Sequence, residues 1–132
     1  MKPTHLFLLL VATLLAGSLS DLFLYFTQQN GNRPDWRAAF AYIAEHGRAG
    51  DRVVSSDLDV FHYYLDKPFV YRTWDAAGPA EGRTWYIEDL VVDELYPQQL
   101  SFVQGQAAPL ADFDVHLPWR TFPMRVYLVD SP

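Results

Sequence analysis

From Leu6 to Phe26 the chain reads LFLLLVATLLAGSLSDLFLYF, 21 residues with one charge, Asp21. A helix of about 20 apolar residues crosses the roughly 30 Å hydrocarbon core of a bilayer. Lys2 stands before this stretch and no acid precedes Asp21, which by the positive-inside bias places the N-terminus in the cytoplasm and the rest outside. A cleaved signal peptide also fits, with Leu6 to Ala16 as its apolar part and Ala16-Gly17-Ser18 or Ser18-Leu19-Ser20 as a small-x-small cleavage site. Apolarity resumes after Asp21 with Leu22-Phe23-Leu24-Tyr25-Phe26, aromatics suited to the outer interface, and this favours a retained anchor. The buried helix of a soluble protein fits least, because such helices carry a polar face. The expectation is therefore a transmembrane helix over 1–26, a linker over 27–32 and an extracytoplasmic domain over 33–132.

That remainder is long enough for one small domain. Half of the chain's residues are hydrophobic and 16% are aromatic, too apolar a composition for disorder. Acidic residues outnumber basic ones, 16 to 10, with no run of Lys or Arg. A phosphate-tracking surface has no support, and nucleic acid is excluded as an expected partner. The absence of cysteine removes disulfides, thiolate metal sites and cysteine nucleophiles, without choosing a compartment.

Thr27 to Asn32 is polar and turn-prone. Beyond it Trp36, Ala39, Phe40, Ile43 and Ala44 follow helical spacing, with Pro34 and Asp35 suited to the first turn and Gly47 to the C-terminal cap. Arg48-Ala49-Gly50-Asp51 turns into a short buried strand at Arg52 to Ser56. Asp57 then caps a helix from Leu58 to Leu65, ended by Lys67-Pro68, and Phe69-Val70-Tyr71 is a second strand. A loop over Arg72 to Glu81 leads to a strand over Arg83 to Glu88. The acidic segment after it either extends the strand or opens a helix toward Val103, interrupted near Pro97. Gln104 to Pro109 reads as a loop, and Phe113 to Leu117 and Met124 to Val129 read as closing strands joined by a fixed connector between Pro118 and Pro123. The alternation predicts an α/β fold, a small two-layer or three-layer sandwich with a largely parallel sheet. Trp36, Phe40 and Ile43 are expected to pack on a sheet led by Val53 and Val54.

An apolar helix ending in aromatics, then RPDWRAAFAYIAEHGRAGDRVVSSD, then FHYYLDKPFVY, resembles the C-terminal end of membrane glycosyltransferases of the dolichyl-phosphate-mannose-protein mannosyltransferase-like and aminoarabinose-transferase-like type. Asp35-Trp36-Arg37 with Gly50-Asp51 downstream carries the likeness, which spans Leu6 to Tyr71. The resemblance implies a small outward-facing α/β domain attached to an enzyme that moves a sugar from a polyprenyl-phosphate donor. Such enzymes hold their catalytic acid in an external loop among many membrane helices. This sequence has one apolar segment and no position to receive that acid, so no catalytic residue is carried over and the chain alone is expected not to be catalytic. The expected partners are membrane lipid, a multi-helix membrane glycosyltransferase, and a glycan or polyprenyl-phosphate sugar. A stand-alone envelope binding or assembly module is the alternative.

In an open α/β sheet, ligands bind beyond the C-terminal ends of the strands. That edge should collect Ser56, Asp57 and Asp59 after the first strand and Arg72 and Trp74 after the second. Asp57, Asp59, Arg72 and Trp74 are the candidate ligand-binding residues, a mixture of carboxylates, guanidinium and stacking aromatic that suits a neutral glycan. A plainer account makes Asp57 a helix cap, Asp59 a solvated first-turn acid and His62 a partly buried polar side chain. Asp57-x-Asp59-x-x-His62 could offer two carboxylates and an imidazole to a divalent metal or position a sugar hydroxyl, but the plainer account is preferred; His5, His46 and His116 form no His-x-x-x-His pair, so neither metal nor other cofactor is expected. Ser55 and Ser56 lack the Gly-x-Ser-x-Gly setting of a nucleophile. Glu88, Asp89, Asp93 and Glu94 read as a solvated acidic face.

Overall fold

The computed structural model describes residues 3–65, 68–75 and 82–131. Lys2, Lys67 and the Gly78-Pro79 part of the predicted loop lie outside them. The chain divides into two compact units, Met1–Arg33 and Pro34–Pro132.

In the first unit, α1 spans Pro3–Thr27 with none of its residues buried. Its mean hydropathy reaches 2.1, high enough to cross a membrane or to act as a signal sequence. Three of its hydroxyls remain compatible with an apolar medium because they bond within the helix: Thr13 to the Leu9 carbonyl at 2.9 Å, Ser20 to that of Ala16 at 3.0 Å and Thr27 to that of Phe23 at 2.6 Å. A single 3-10 turn, Asn30–Asn32, follows.

The second unit opens with α2, Trp36–His46, whose N-terminus is capped by the Asp35 carboxylate accepting from Ala38 N–H at 3.1 Å. Gly47 ends it where space is shortest: a Cβ there would sit 2.4 Å from Phe69 Cε1 and 2.6 Å from the Ile43 carbonyl oxygen. Gly50, at φ +88°, makes the turn into β1, Arg52–Val54. Then come α3 (Leu58–Tyr64), β2 (Val70–Arg72), β3 (Gly82–Glu88), α4 (Leu90–Leu95), α5 (Pro97–Gln106), β4 (Ala111–Asp112), β5 (Val115–His116), β6 (Thr121–Phe122) and β7 (Arg125–Ser131). Pro97 sits in the first turn of α5, where its missing N–H is harmless, and so divides the acidic segment into two helices.

The main sheet has the order β2-β1-β3-β7-β4, with β5 and β6 forming a separate hairpin. β1 pairs in parallel with β2 and β3, but β7 is antiparallel to β3 and to β4. The expectation of a largely parallel sheet thus holds for one half only. The other half departs from it because β7 begins opposite the end of β3, Arg125 against Glu88, after the hairpin has turned the chain at that edge.

Side chains alternate between two cores, as the period of 2 in a strand requires. Val53, Trp85, Ile87 and Val126 join Ala39, Phe40 and Ile43 of α2 and Phe61 of α3 on one face. Val54, Tyr86, Tyr127 and Val129 join Val92 of α4 and Leu100 and Val103 of α5 on the other. The unit is a three-layer sandwich, and Val54 belongs to the face away from α2, a correction to the expected packing of Val53 and Val54 together. Trp36 is half-buried, stacked on Phe40 at 5.7 Å.

Gly50 N–H bonds the Pro68 carbonyl at 2.9 Å, which together with the Gly47–Phe69 approach fixes the C-terminal end of α2 where β1 and β2 begin. The first turn of α2 accordingly lies toward the edge where those strands end.

Candidate functional site: the crevice between diverging helices

Two adjacent parallel strands, β1 and β3, send their following helices to opposite faces, α3 to one core and α4 to the other. Where these chains diverge beyond the strand ends is the topological switch point of the sheet, the crevice position at which open α/β sheets bind ligands. Ser55, Ser56 and Asp57 form one wall and Asp89 the other.

Asp57 caps α3, its Oδ1 accepting from Asp59 N–H at 2.9 Å and Val60 N–H at 3.0 Å. Asp89 caps α4 in the same manner, accepting from Val92 N–H at 2.8 Å. The Ser56 hydroxyl crosses the crevice and donates to Asp89 Oδ2. Burial pushes the Asp89 carboxyl above its usual range, a rise that the Ser56 hydroxyl and the helix N–H groups oppose. Beneath them the Ser55 hydroxyl donates to the Asp57 carbonyl at 3.1 Å, and the Tyr71 hydroxyl donates to the Ser55 carbonyl at 3.2 Å.

Of the residues expected here, Asp57 reaches the crevice wall and Asp59 is exposed in the first turn of α3. Arg72 is exposed at the end of β2, with Nη1 3.0 Å from the Tyr71 carbonyl. Trp74 is only 1% exposed: its indole N–H donates to the Ile87 carbonyl at 3.2 Å and its ring lies 5.4 Å from Tyr86. It is a core residue, with no face left for a sugar ring.

The acidic segment also differs from its expected solvated face. Glu88 and Asp89 are each 2% exposed. Asp89 was recoverable from the sequence, since an Asp between a strand and the apolar run Leu90-Val91-Val92 is a helix-cap signal. Glu88 belongs to a buried network. It accepts from the Tyr127 hydroxyl and from Arg125 Nη1 at 3.0 Å, and Arg125 Nη2 continues to Asp114 Oδ2 at 2.7 Å. Burial, then the Glu88 carboxylate, push the Tyr127 hydroxyl up to about 12.

Among the described residues no three carboxylate or imidazole side chains are placed to hold a metal ion. The Ser56 hydroxyl is engaged as a hydrogen-bond donor to the Asp89 carboxylate. The Ser56 hydroxyl and the exposed Asp57 and Asp59 carboxylates are groups that can hydrogen-bond a polyol, while Arg72 stands at the end of β2, on the other side of β1 from Asp89. No protein-family model, curated protein or solved structure matches the chain.

Proposed function

We propose that this chain is a membrane-anchored α/β domain, held outside the cytoplasm by α1, that serves polyprenyl-phosphate-sugar-dependent glycosyl transfer as a non-catalytic partner of a multi-helix membrane enzyme. The observation that carries the reading is the division of the chain into an apolar helix with no buried residue and an α/β unit with a complete two-faced core of its own. The resemblance around Asp35-Trp36-Arg37 and Gly50-Asp51 supplies the enzyme class. In this role the crevice beyond β1 and β3 receives a neutral glycan through Ser56, Asp57, Asp59 and Arg72. Acids outnumber the one arginine there, so a bare phosphate is repelled.

The chain has no cysteine, so single introduced cysteines report topology directly. In intact cells a membrane-impermeant maleimide should label Ala49→Cys and spare Thr4→Cys, and the intact mass should retain α1. A mature protein beginning at Leu19 or Asp21 overturns the anchor. Sugar transfer from a polyprenyl-phosphate donor by the purified chain, abolished by one substitution within it, overturns the non-catalytic role. Glycan titration should shift the amide resonances of Ser56, Asp57 and Asp59, and a response confined to the opposite sheet edge removes the proposed binding site.

A further inference from the structure

The one charge in the apolar stretch of α1 stands inside it, because Leu22-Phe23-Leu24-Tyr25-Phe26 follow Asp21. At about 1.5 Å per residue, those residues set Asp21 about 7.5 Å below the outer end of the stretch. The long stems of Lys and Arg can carry a charge over such a distance to the headgroups, but the single methylene of Asp cannot. Sliding the helix outward would lift the five apolar residues into water instead. The helix itself offers no remedy. The Thr13, Ser20 and Thr27 hydroxyls donate to carbonyls one turn back, whereas a carboxylate only accepts, and the N–H groups in mid-helix are already bonded. Asp21 is exposed, and α1 has no buried residue.

The helix face beside Asp21 is open to a close neighbour. Thr13, Gly17, Ser20 and Leu24 lie on it at helical spacing. A glycine inside a helix is disfavoured against alanine. At Gly17, its own helix backbone aside, nothing among the described residues lies within 4 Å of where a Cβ would stand. The packing of this chain therefore does not call for a glycine there, but the close approach of another helix in lipid does. We infer that this face of α1 docks on a transmembrane helix of the multi-helix enzyme proposed as its partner, and that the partner helix bears a lysine or arginine level with Asp21. Charge complementarity selects the occupant. A carboxylate within the hydrocarbon is tolerated where a basic group faces it, whereas a parallel second copy of α1 would set another carboxylate at the same depth. The inference rests on the reading of α1 as a retained anchor and adds the chemistry by which that anchor recognises its partner.

The test uses the full chain in phosphatidylcholine vesicles with a guest of known sequence, a leucine-rich transmembrane peptide carrying one lysine at the depth of Asp21. A donor dye on Thr4→Cys and an acceptor dye on the peptide report association by energy transfer. The lysine guest should associate about tenfold more tightly than an all-leucine guest, and Asp21→Leu should bring the two to the same level. Gly17→Leu, which keeps the carboxylate, should weaken the lysine guest several-fold. Equal association of both guests with the parent chain overturns the pairing, and a lysine preference that survives Asp21→Leu overturns the role of Asp21. A Gly17→Leu chain that binds like the parent overturns the close approach at this face. Stronger transfer between donor-labelled and acceptor-labelled copies of the chain than to the lysine guest, lost in Asp21→Leu, assigns the face to a second copy and overturns the docking. Oxygen accessibility of a spin label on Leu15→Cys separates the two readings: a label in water overturns the anchor itself, and a label in lipid beside equal guests overturns the docking alone.

Discussion

At the edge where the parallel strands begin, one carboxylate serves three donors. Asp51 Oδ2 accepts from Arg48 N–H at 2.9 Å, Arg83 Nε at 3.0 Å and the Trp85 indole N–H at 2.8 Å. Where those strands end the ratio is reversed, and one guanidinium serves several acids. Arg125 reaches Glu88 at 3.0 Å, Asp114 at 2.7 Å and Asp112 at 3.7 Å. Burial pulls the Arg125 guanidinium toward neutrality, but its carboxylate partners outweigh this and hold it well above its ordinary range. An acid-rich hub leaves surplus carboxylates that protons can neutralise. The comparison teaches that the edge carrying the candidate site gathers more carboxylates than its one guanidinium can pair, and that a pH response is to be sought there.

Removing the single acceptor of the first hub has the largest expected effect. Asp51→Ala strands the buried Trp85 N–H and leaves Arg83 only the His46 carbonyl and the exposed Asp130 carboxylate, and losing one partner of a buried pair costs about 3–5 kcal/mol. Asp51→Asn keeps an acceptor oxygen and should cost about 1–2 kcal/mol. Urea unfolding of the chain in detergent, followed by tryptophan fluorescence, measures both. Equal losses for the two variants would show that charge, and not the hydrogen bond to Trp85, holds this edge.

Arg125→Met probes the second hub and is next in size. It leaves Glu88 buried without its guanidinium donor, a loss of about 2–3 kcal/mol near neutral pH. Acid should restore part of it, because protonated carboxyls no longer need the guanidinium. A deficit that stays constant from pH 7.5 to pH 5 would mean that Arg125 acts through packing of its stem.

The two edges were also unequally legible from sequence. Asp35, Gly47 and the spacing of Trp36, Phe40 and Ile43 announce α2 because caps and helical period are local signals. The direction of β7 is not local. RVYLVD has the apolar content of a strand covered on both faces, which suits a parallel neighbour as well as an antiparallel one. Only the hairpin turning the chain through Val115 to Phe122 decides it, and β4, a two-residue strand, is too short to leave a pattern. Trp74 shows the same limit at the candidate site. Its place after β2 was readable, but its burial comes from Ile87 and Tyr86, residues distant in sequence. Glu88 was hidden by its acidic neighbours Asp93 and Glu94, since composition cannot separate an acid turned inward from those turned outward, whereas Asp89 left a cap signal in the sequence.

Asp93 sharpens the comparison through pH. Partial desolvation, then the Glu88 carboxylate, raise its carboxyl from 3.8 to about 6. Between those values the folded state holds a proton that the unfolded state has lost, so stability falls as pH rises through this window and levels off above it. Asp114 works in the opposite sense: burial pushes it up, but Met124 N–H and Arg125 outweigh that and lower it from 3.8. Its stabilising share is lost as pH falls below that value. The stability maximum should lie at mildly acid pH. Asp93 is largely exposed, so Asp93→Asn should gain only about 1 kcal/mol at pH 7.5 after solvent screening and flatten the slope from pH 4 to pH 6. A slope unchanged by Asp93→Asn would assign the response to Asp89, whose burial also raises it.

The smallest effect belongs to the crevice itself, where Asp57 and Asp89 perform the same local task in different surroundings. Both cap the helix that follows, but Asp57 is exposed and Asp89 is buried beneath Ser56. When the Asp57 side chain is removed, water can reach the Asp59 and Val60 N–H groups, so Asp57→Ala should cost about 0.5–1 kcal/mol, the lower part of the range for caps. Asp57→Ser, which keeps a capping oxygen, should recover most of it. This pair of variants separates the structural duty of Asp57 from recognition. A serine replacement that restores stability while glycan-induced shifts at Ser56 and Asp59 disappear assigns the carboxylate to the ligand. If stability and those shifts return together, Asp57 is a cap, and binding at the crevice falls to the exposed carboxylate of Asp59 and the guanidinium of Arg72.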